Sequence, residues 1–210
     1  MTKHEKIIFV ILLGSLLGAV ELFGGDIMRA AGLSHKSALQ YGLAVMIMIA
    51  SKRILDFNGS VIIMSAIAAL FKTISDNFYT CQMAAVMING VIFEGGYYLL
   101  KAKFDTNRVW RIVAAPVITY ISFAVFALIA TYFLREPNWA ERGLSGIVGY
   151  LATSAFIASI VSIIMLNTGY YLGNWAKNIL ALKKPGYVLL NIRTVAVAVV
   201  IIIWIAGLKY

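Results

Sequence analysis

The sequence predicts an all-α, polytopic integral membrane protein, and three observations carry that prediction. Of its 210 residues, 61% are hydrophobic and only 13% are charged. A soluble domain carries about 25% charged residues, so a folded soluble surface would lack polar cover. The apolar residues fall in blocks suited to helices of about 20 residues, the length that crosses the hydrocarbon of a bilayer. The basic residues gather in short clusters between those blocks, the pattern that fixes orientation in a membrane.

Seven apolar segments follow in order, at 7–24, 38–51, 59–74, 82–100, 112–134, 144–175 and 187–208. The first follows Lys3, His4 and Lys6 and has the outline of a signal peptide. It lacks a small-residue cleavage site and further spans follow it, so it reads as an uncleaved first span. Short segments with turn chemistry separate the blocks: "GGDIMRAAGLSHKS", "KRILDFNGS", "KAKFDTNRVWR", "REPNWAERG" and "KKPG". No linker or low-complexity stretch divides the chain, so residues 1–210 form one transmembrane domain.

The third segment tests the count. From Gly59 to Ile74 it rises only about 24 Å, less than the hydrocarbon thickness, and could be re-entrant. Positive charge arbitrates. With seven spans and a cytoplasmic N-terminus, the outer side holds Arg29, Lys36, Lys72, Arg135, Arg142 and Lys209, and the inner side holds the other 12 of the 18 Lys and Arg. With six spans, every later connection flips and the split becomes 8 inside to 10 outside. An excess of Lys and Arg belongs inside, which favours seven. Trp110 and Trp175 then fall at inner boundaries and Trp139 and Trp204 at or near outer ones, as an aromatic belt requires.

Several function classes are excluded or left without support. The net charge of +9 is spread over the inter-span clusters with no basic face interleaved with aromatics, so nucleic acid is not an expected partner. The single cysteine, Cys81, excludes an intramolecular disulfide and a cysteine-based metal cluster. His4 and His35 fall on opposite sides and cannot share a metal. There is no Walker A loop, no H-E-x-x-H and no paired-aspartate phosphotransfer motif. No cofactor, metal site or catalytic residue is expected.

Polar groups inside spans are costly in lipid and default to functional candidates. Sorted by depth, Glu21, Asp76, Asn77, Gln82, Asn89, Tyr132 and Ser154 lie at the outer side or in the outer half, where they could line a substrate pocket open to the exterior. Their acids point to a cationic or hydrogen-bond-donating ligand. Glu94 is the deepest acid, and its structural role would be to pair with Lys52 or Arg53. Asn167, Tyr170 and Asn174, spaced i, i+3, i+7, form one polar stripe near the inner end of the sixth span. That stripe is either a second polar lining or the snorkelling end of a long helix, and the latter is the preferred reading. In "LLGSLLGAVE", Gly14 and Gly18 form G-x-x-x-G beside Ser15 and Ala19, a face stripped of bulk that lets another helix approach closely.

The small-residue face of the first helix, "ASKRILDFNGSVIIMSAIAALFKTIS" and "AAVMINGVIFEGGYYLL" together resemble the substrate-binding (S) components of energy-coupling factor (ECF) transporters. The resembling positions are Lys52, Arg53, Gly59, Ser60, Glu94 and Gly95, and the similarity covers roughly the first half of the chain. It implies a helical binding protein of a prokaryotic cell membrane that captures a micronutrient, such as a vitamin or metal. It further implies a transmembrane coupling subunit, served by cytoplasmic ATPases, docked on Gly14, Ser15, Gly18 and Ala19. That family commonly has six spans with both termini inside, against the seven counted here.

A solute-capture subunit without catalytic activity of its own is therefore the leading expectation. A self-contained channel or secondary transporter is the alternative, and it needs Asn89, Glu94, Asn167 and Tyr170 along one path. A lipid-modifying enzyme, with the basic connection 101–111 on a lipid phosphate, is the least supported.

Overall fold

The computed structural model describes residues 2–33, 35–74, 80–182 and 187–208. Asp76, Asn77, Lys183, Lys184 and Lys209 lie outside the described residues. The described chain is helical from end to end: α1 (Lys3–Ala30), α2 (Lys36–Leu55), α3 (Ser60–Lys72), α4 (Thr80–Thr106), α5 (Arg108–Leu128), α6 (Pro137–Tyr150), α7 (Phe156–Leu182) and α8 (Tyr187–Leu208). Single π-helical turns, Ile129–Phe133 and Leu151–Ala155, close α5 and join α6 to α7. Five stretches are long and apolar enough to cross a membrane, Lys3–Met28, Lys36–Leu55, Thr80–Thr106, Arg108–Phe133 and Pro137–Leu180, with Ser60–Lys72 and Val197–Leu208 as shorter apolar helices. The chain is an all-α polytopic membrane protein.

Side-chain contacts sort the helix ends into two poles. At the first, Lys6 lies over the ring of Phe57, Lys101 pairs with Asp56, and Arg53 donates to Asn174. This basic pole holds the start of α1, the end of α2, the start of α3 and the ends of α4 and α7. At the second, Lys72 reaches Glu21 and Gln82, and the ring of Trp204 packs on Phe71. Helix α3 therefore runs from one pole to the other despite its 13 residues, a rise of about 20 Å. Counting α6 and α7 as one bent element, the described chain makes seven passes.

Three segments read as connections are helical instead. Helix α1 continues through Gly24, Gly25 and Asp26 to Ala30. The stretch 101–111 belongs to α4 and α5 and is broken only at Asn107, whose side chain caps α5 by accepting from the Val109 N–H at 2.8 Å. Helix α6 begins at Pro137, a residue whose missing N–H costs nothing at a first helical position, and Glu136 caps it. Gly143, at φ 53°, breaks α6 in a conformation that suits a residue without a Cβ.

Close packing between helices follows small residues. A Cβ on Gly18 would lie 2.6 Å from the Cβ of Phe71, so α1 and α3 meet where α1 has no side chain. A Cβ on Gly173 would lie 2.8 Å from the Ala50 carbonyl oxygen, and one on Gly169 still closer to that of Met46. The second G-x-x-x-G of the chain, Gly169 and Gly173, thus sets the contact between α2 and α7. The face of α1 that the sequence offered to a partner is in large part used within the chain. Gly14 and Gly18 back onto α3, and Ser15, fully buried, accepts a hydrogen bond from Trp204 Nε1 of α8 at 2.9 Å. Ala19 is half-buried.

Candidate functional site

A cavity of about 430 Å³ opens at the pole opposite the basic one. Six elements line it, and they divide by chemistry. Glu21 and Asp26 come from α1, Lys36, Ser37 and Gln40 from α2, Lys72 from α3, and Gln82 and Asn89 from α4. Tyr41 of α2, Phe123 and Phe126 of α5 and Tyr150 of α6 supply a wall of rings. Ser37 and Gln82 are exposed at the mouth, whereas Tyr41 and Ser122 are buried at the floor.

The charged wall is internally paired. Lys72 Nζ stands 3.2 Å from Glu21 Oε2 and 3.4 Å from Gln82 Oε1. Gln40 Nε2 donates to the Glu21 carbonyl oxygen at 2.5 Å and to Glu21 Oε2 at 3.2 Å. The Glu21 and Lys72 side chains are only 11% and 10% exposed, so each offsets the other's charge in a poorly hydrated place. Asn89 differs from both. It is half-buried, and among the described residues its carboxamide has no hydrogen-bond partner.

The aromatic wall is a connected cluster. Tyr41 meets Phe123 edge-on at 5.1 Å, and Phe123 stacks on Tyr150 at 5.2 Å and 18°. Trp139 braces the cluster from α6, 4.9 Å from Tyr150 and 5.5 Å from Phe126, both edge-on. Such offset and T-shaped contacts add to the apolar burial of the rings and hold them in place.

Below the floor the interior is sealed. Tyr41 OH donates weakly to Ser122 Oγ at 3.5 Å, and Thr119 Oγ1 donates to Ser162 Oγ at 2.9 Å, tying α5 to α7. Farther along the same helices Met48, Ala115, Ile118 and Leu166 are buried and apolar. A second polar zone lies beyond them, at the basic pole.

That zone is a lattice of cross-helix bonds. Lys52 Nζ donates to Glu94 Oε1 at 2.6 Å and to the Phe57 carbonyl at 2.8 Å. Glu94 also accepts from the Gly59 and Val61 N–H groups at 2.8 and 3.0 Å, taking two of the four donors that the start of a helix leaves unsatisfied. Its carboxylate sits at the positive end of the α3 dipole, where a negative charge is favoured. Gly59 has no side chain to cap α3, so the cap comes from α4.

The stripe Asn167, Tyr170 and Asn174 belongs to this lattice and is no snorkelling end. Asn167 Oδ1 accepts from Arg111, Asn174 Oδ1 from Arg53, and Tyr170 donates to Asp105 at 3.0 Å. Arg53 and Arg111 both lie against the ring of Tyr170, at 4.6 and 4.1 Å. Arg53 also pairs with Asp105. The basic stretch 101–111 is largely engaged: Lys101 with Asp56, Lys103 over Trp110, Arg111 with the Phe104 carbonyl at 2.5 Å.

The sequence-derived site is brought together in part. Glu21, Gln82 and Asn89 line one cavity. Tyr132 is exposed on the first π-helical turn and Ser154 is half-buried on the second, and neither lines it. Asp76 and Asn77 lie outside the described residues. Glu21 carries no spare charge for a cation, because Lys72 neutralises it. Sequence reasoning missed Lys72, Gln40, Tyr41, Ser122 and the ring wall. Asn89, Glu94, Asn167 and Tyr170 do not share a path: Asn89 opens to the cavity, while the other three are bonded in the lattice below the apolar seal. Among the described residues no group of three His, Cys, Asp or Glu is placed to hold a metal ion.

No family model matches the chain, and neither a curated protein nor a solved structure matches it.

Proposed function

We propose that the protein is a membrane-embedded substrate-capture subunit of a small-solute uptake system, of the kind represented by ECF S components. The observation that carries this reading is the blind cavity: accessible at one pole, lined by separate polar and aromatic walls, and sealed beneath by Met48, Ala115, Ile118 and Leu166. A pocket of several hundred Å³ with an apolar body and a few convergent polar groups is the usual form of a small-molecule site. A sealed floor suits capture rather than conduction.

Two further features support the reading. Lys52, Gly59 and Glu94, three of the residues that carry the resemblance, meet at one junction. The basic pole gathers Lys6, Lys52, Arg53, Lys101, Lys103, Arg108, Arg111 and Lys177, which favours a cytoplasmic basic pole and an outward cavity in a prokaryotic cell membrane. With α3 and α8 on the small-residue face of α1, a coupling subunit would meet the exposed Ile7, Ile11 and Leu16 of that helix instead.

Native mass spectrometry of the protein purified in its own lipids tests the proposal. A co-purified small molecule, or thermal stabilisation by one member of a vitamin and metal panel, is the expected result. Absence of both overturns it. Labelling of S37C in intact cells by a membrane-impermeant maleimide tests the orientation, and protection of that mouth position would reverse it.

A further inference from the structure

The cavity walls carry information about what fits between them, and this inference rests on the capture reading above. We infer that the ligand is a planar aromatic solute with no net charge, presenting an amide-type edge that both donates and accepts hydrogen bonds.

Charge comes first. Two acids, Glu21 and Asp26, and two lysines, Lys36 and Lys72, line the cavity, so its formal charges balance. Glu21 and Lys72 already face each other at 3.2 Å in a nearly buried place. An anionic solute drawn to Lys72 must separate it from Glu21, and a cationic solute drawn to Glu21 must separate it from Lys72. Either exchange removes about as much interaction as it creates. A solute without net charge leaves the pair intact.

Hydrogen bonding comes next. Asn89 offers two N–H donors and one carbonyl acceptor, none bonded among the described residues, in a half-buried stretch of α4. Gln82, nearer the mouth on the same helix, spends its carbonyl on Lys72. A half-buried amide on the cavity wall is covered when a ligand seats against it, and it then disfavours solutes that cannot answer both its donor and its acceptor. A ligand edge with an adjacent C=O and N–H answers both.

Shape comes last. Tyr41, Phe123, Phe126 and Tyr150 line the cavity as rings already fixed by mutual contact and by Trp139. A preformed aromatic wall takes a flat ring with little ordering cost. The polar and aromatic walls come largely from different helices, so the ligand must be amphipathic in the same sense: ring on one side, amide edge on the other.

Four fragment probes test this by saturation-transfer NMR on the full chain in nanodiscs: benzamide, benzoate, benzylammonium and isobutyramide. Benzamide is expected to bind at least tenfold more tightly than the other three. Its affinity should fall at least tenfold in N89L and in F123A, and also in Q82A, a second polar variant at the exposed mouth. Tighter binding of benzoate or benzylammonium would overturn the neutrality argument while leaving capture standing. Equal binding of isobutyramide would overturn the aromatic requirement in the same way. If no fragment binds, or if all three variants bind benzamide like the parent, the ligand class is wrong. The capture reading then stands or falls separately on native mass spectrometry.

Discussion

Lys52 and Glu94, 42 positions apart on α2 and α4, join at 2.6 Å with side chains only 3% and 9% exposed, and the same carboxylate closes the first turn of α3. Three helices therefore depend on one acid. Glu94→Ala removes the partner of a buried ammonium and uncaps α3 together, and should destabilise the protein by about 3–5 kcal/mol. The double variant K52M/E94L, with no charge left to strand, should recover the part of that loss owed to the buried ammonium, while α3 stays uncapped. Thermal unfolding in nanodiscs measures both, and a double variant no better than E94A would refute the account.

The contact between α2 and α7 is set by absent side chains. Gly173→Val places its Cβ on the Ala50 backbone, which cannot rotate away, so a loss of at least about 1–3 kcal/mol is expected from overpacking. Gly95→Ala serves as the control, because a Cβ there meets nothing. Equal unfolding temperatures for the two variants would contradict the packing described for α7.

Trp204 ties helix α8 to α1 through a side-chain hydrogen bond to Ser15. Trp204→Phe keeps the ring against Phe71 and deletes the hydrogen bond to Ser15, at a cost of about 1 kcal/mol. Hydrogen exchange should rise in 187–208 and stay unchanged in α2. Unchanged exchange in α8 would mean that it is held by something else.

Acid should loosen the connection between α2 and α3. The hydrogen bond from Lys101 holds the Asp56 carboxyl below the usual carboxylate range. A depressed folded pKa means that the pair adds stability above the unfolded carboxylate value and loses it as pH falls through the folded one. Both groups are about half exposed, so the effect is screened and stays under about 1 kcal/mol. Asp56→Asn should flatten this part of the acid side of the stability profile; a profile identical to the parent's would exclude the pair as a contributor.

Much of this arrangement is legible in the sequence, and the rest is hidden for physical reasons. Glu94 could be matched to Lys52 or Arg53 because an acid in lipid needs a cation, and only the cap on α3 was unforeseen. The stripe Asn167, Tyr170 and Asn174 was found by its spacing, but its partners Arg53, Asp105 and Arg111 sit on other helices, and spacing says nothing across helices. Glu21, Gln82 and Asn89 were found by depth. Depth alone also admitted Tyr132 and Ser154, which sit on π-helical turns away from the cavity. Tyr41, Phe123, Phe126 and Tyr150 were invisible as a wall, because an aromatic in an apolar span reads the same whether it faces a neighbour, a lipid or a ligand. Lys72 was counted for topology, which concealed that it neutralises Glu21. Gly169 and Gly173 repeat the G-x-x-x-G spacing of α1, so this close contact is readable in the sequence as well.

Helix α3 separates two layers of fixed charge, Glu94 with Lys52 at its start and Lys72 with Glu21 at its end, by only about 20 Å. A bilayer of about 30 Å must thin around it or let water follow the cavity inward. The dry insulating slab at this place is then thinner than the surrounding membrane, and the transmembrane voltage falls across that shorter distance. Moving one charge through the whole drop involves about 2.3 kcal/mol per 100 mV. A solute without net charge, seated beside Lys72, would be indifferent to that field, so its capture should not change with membrane potential.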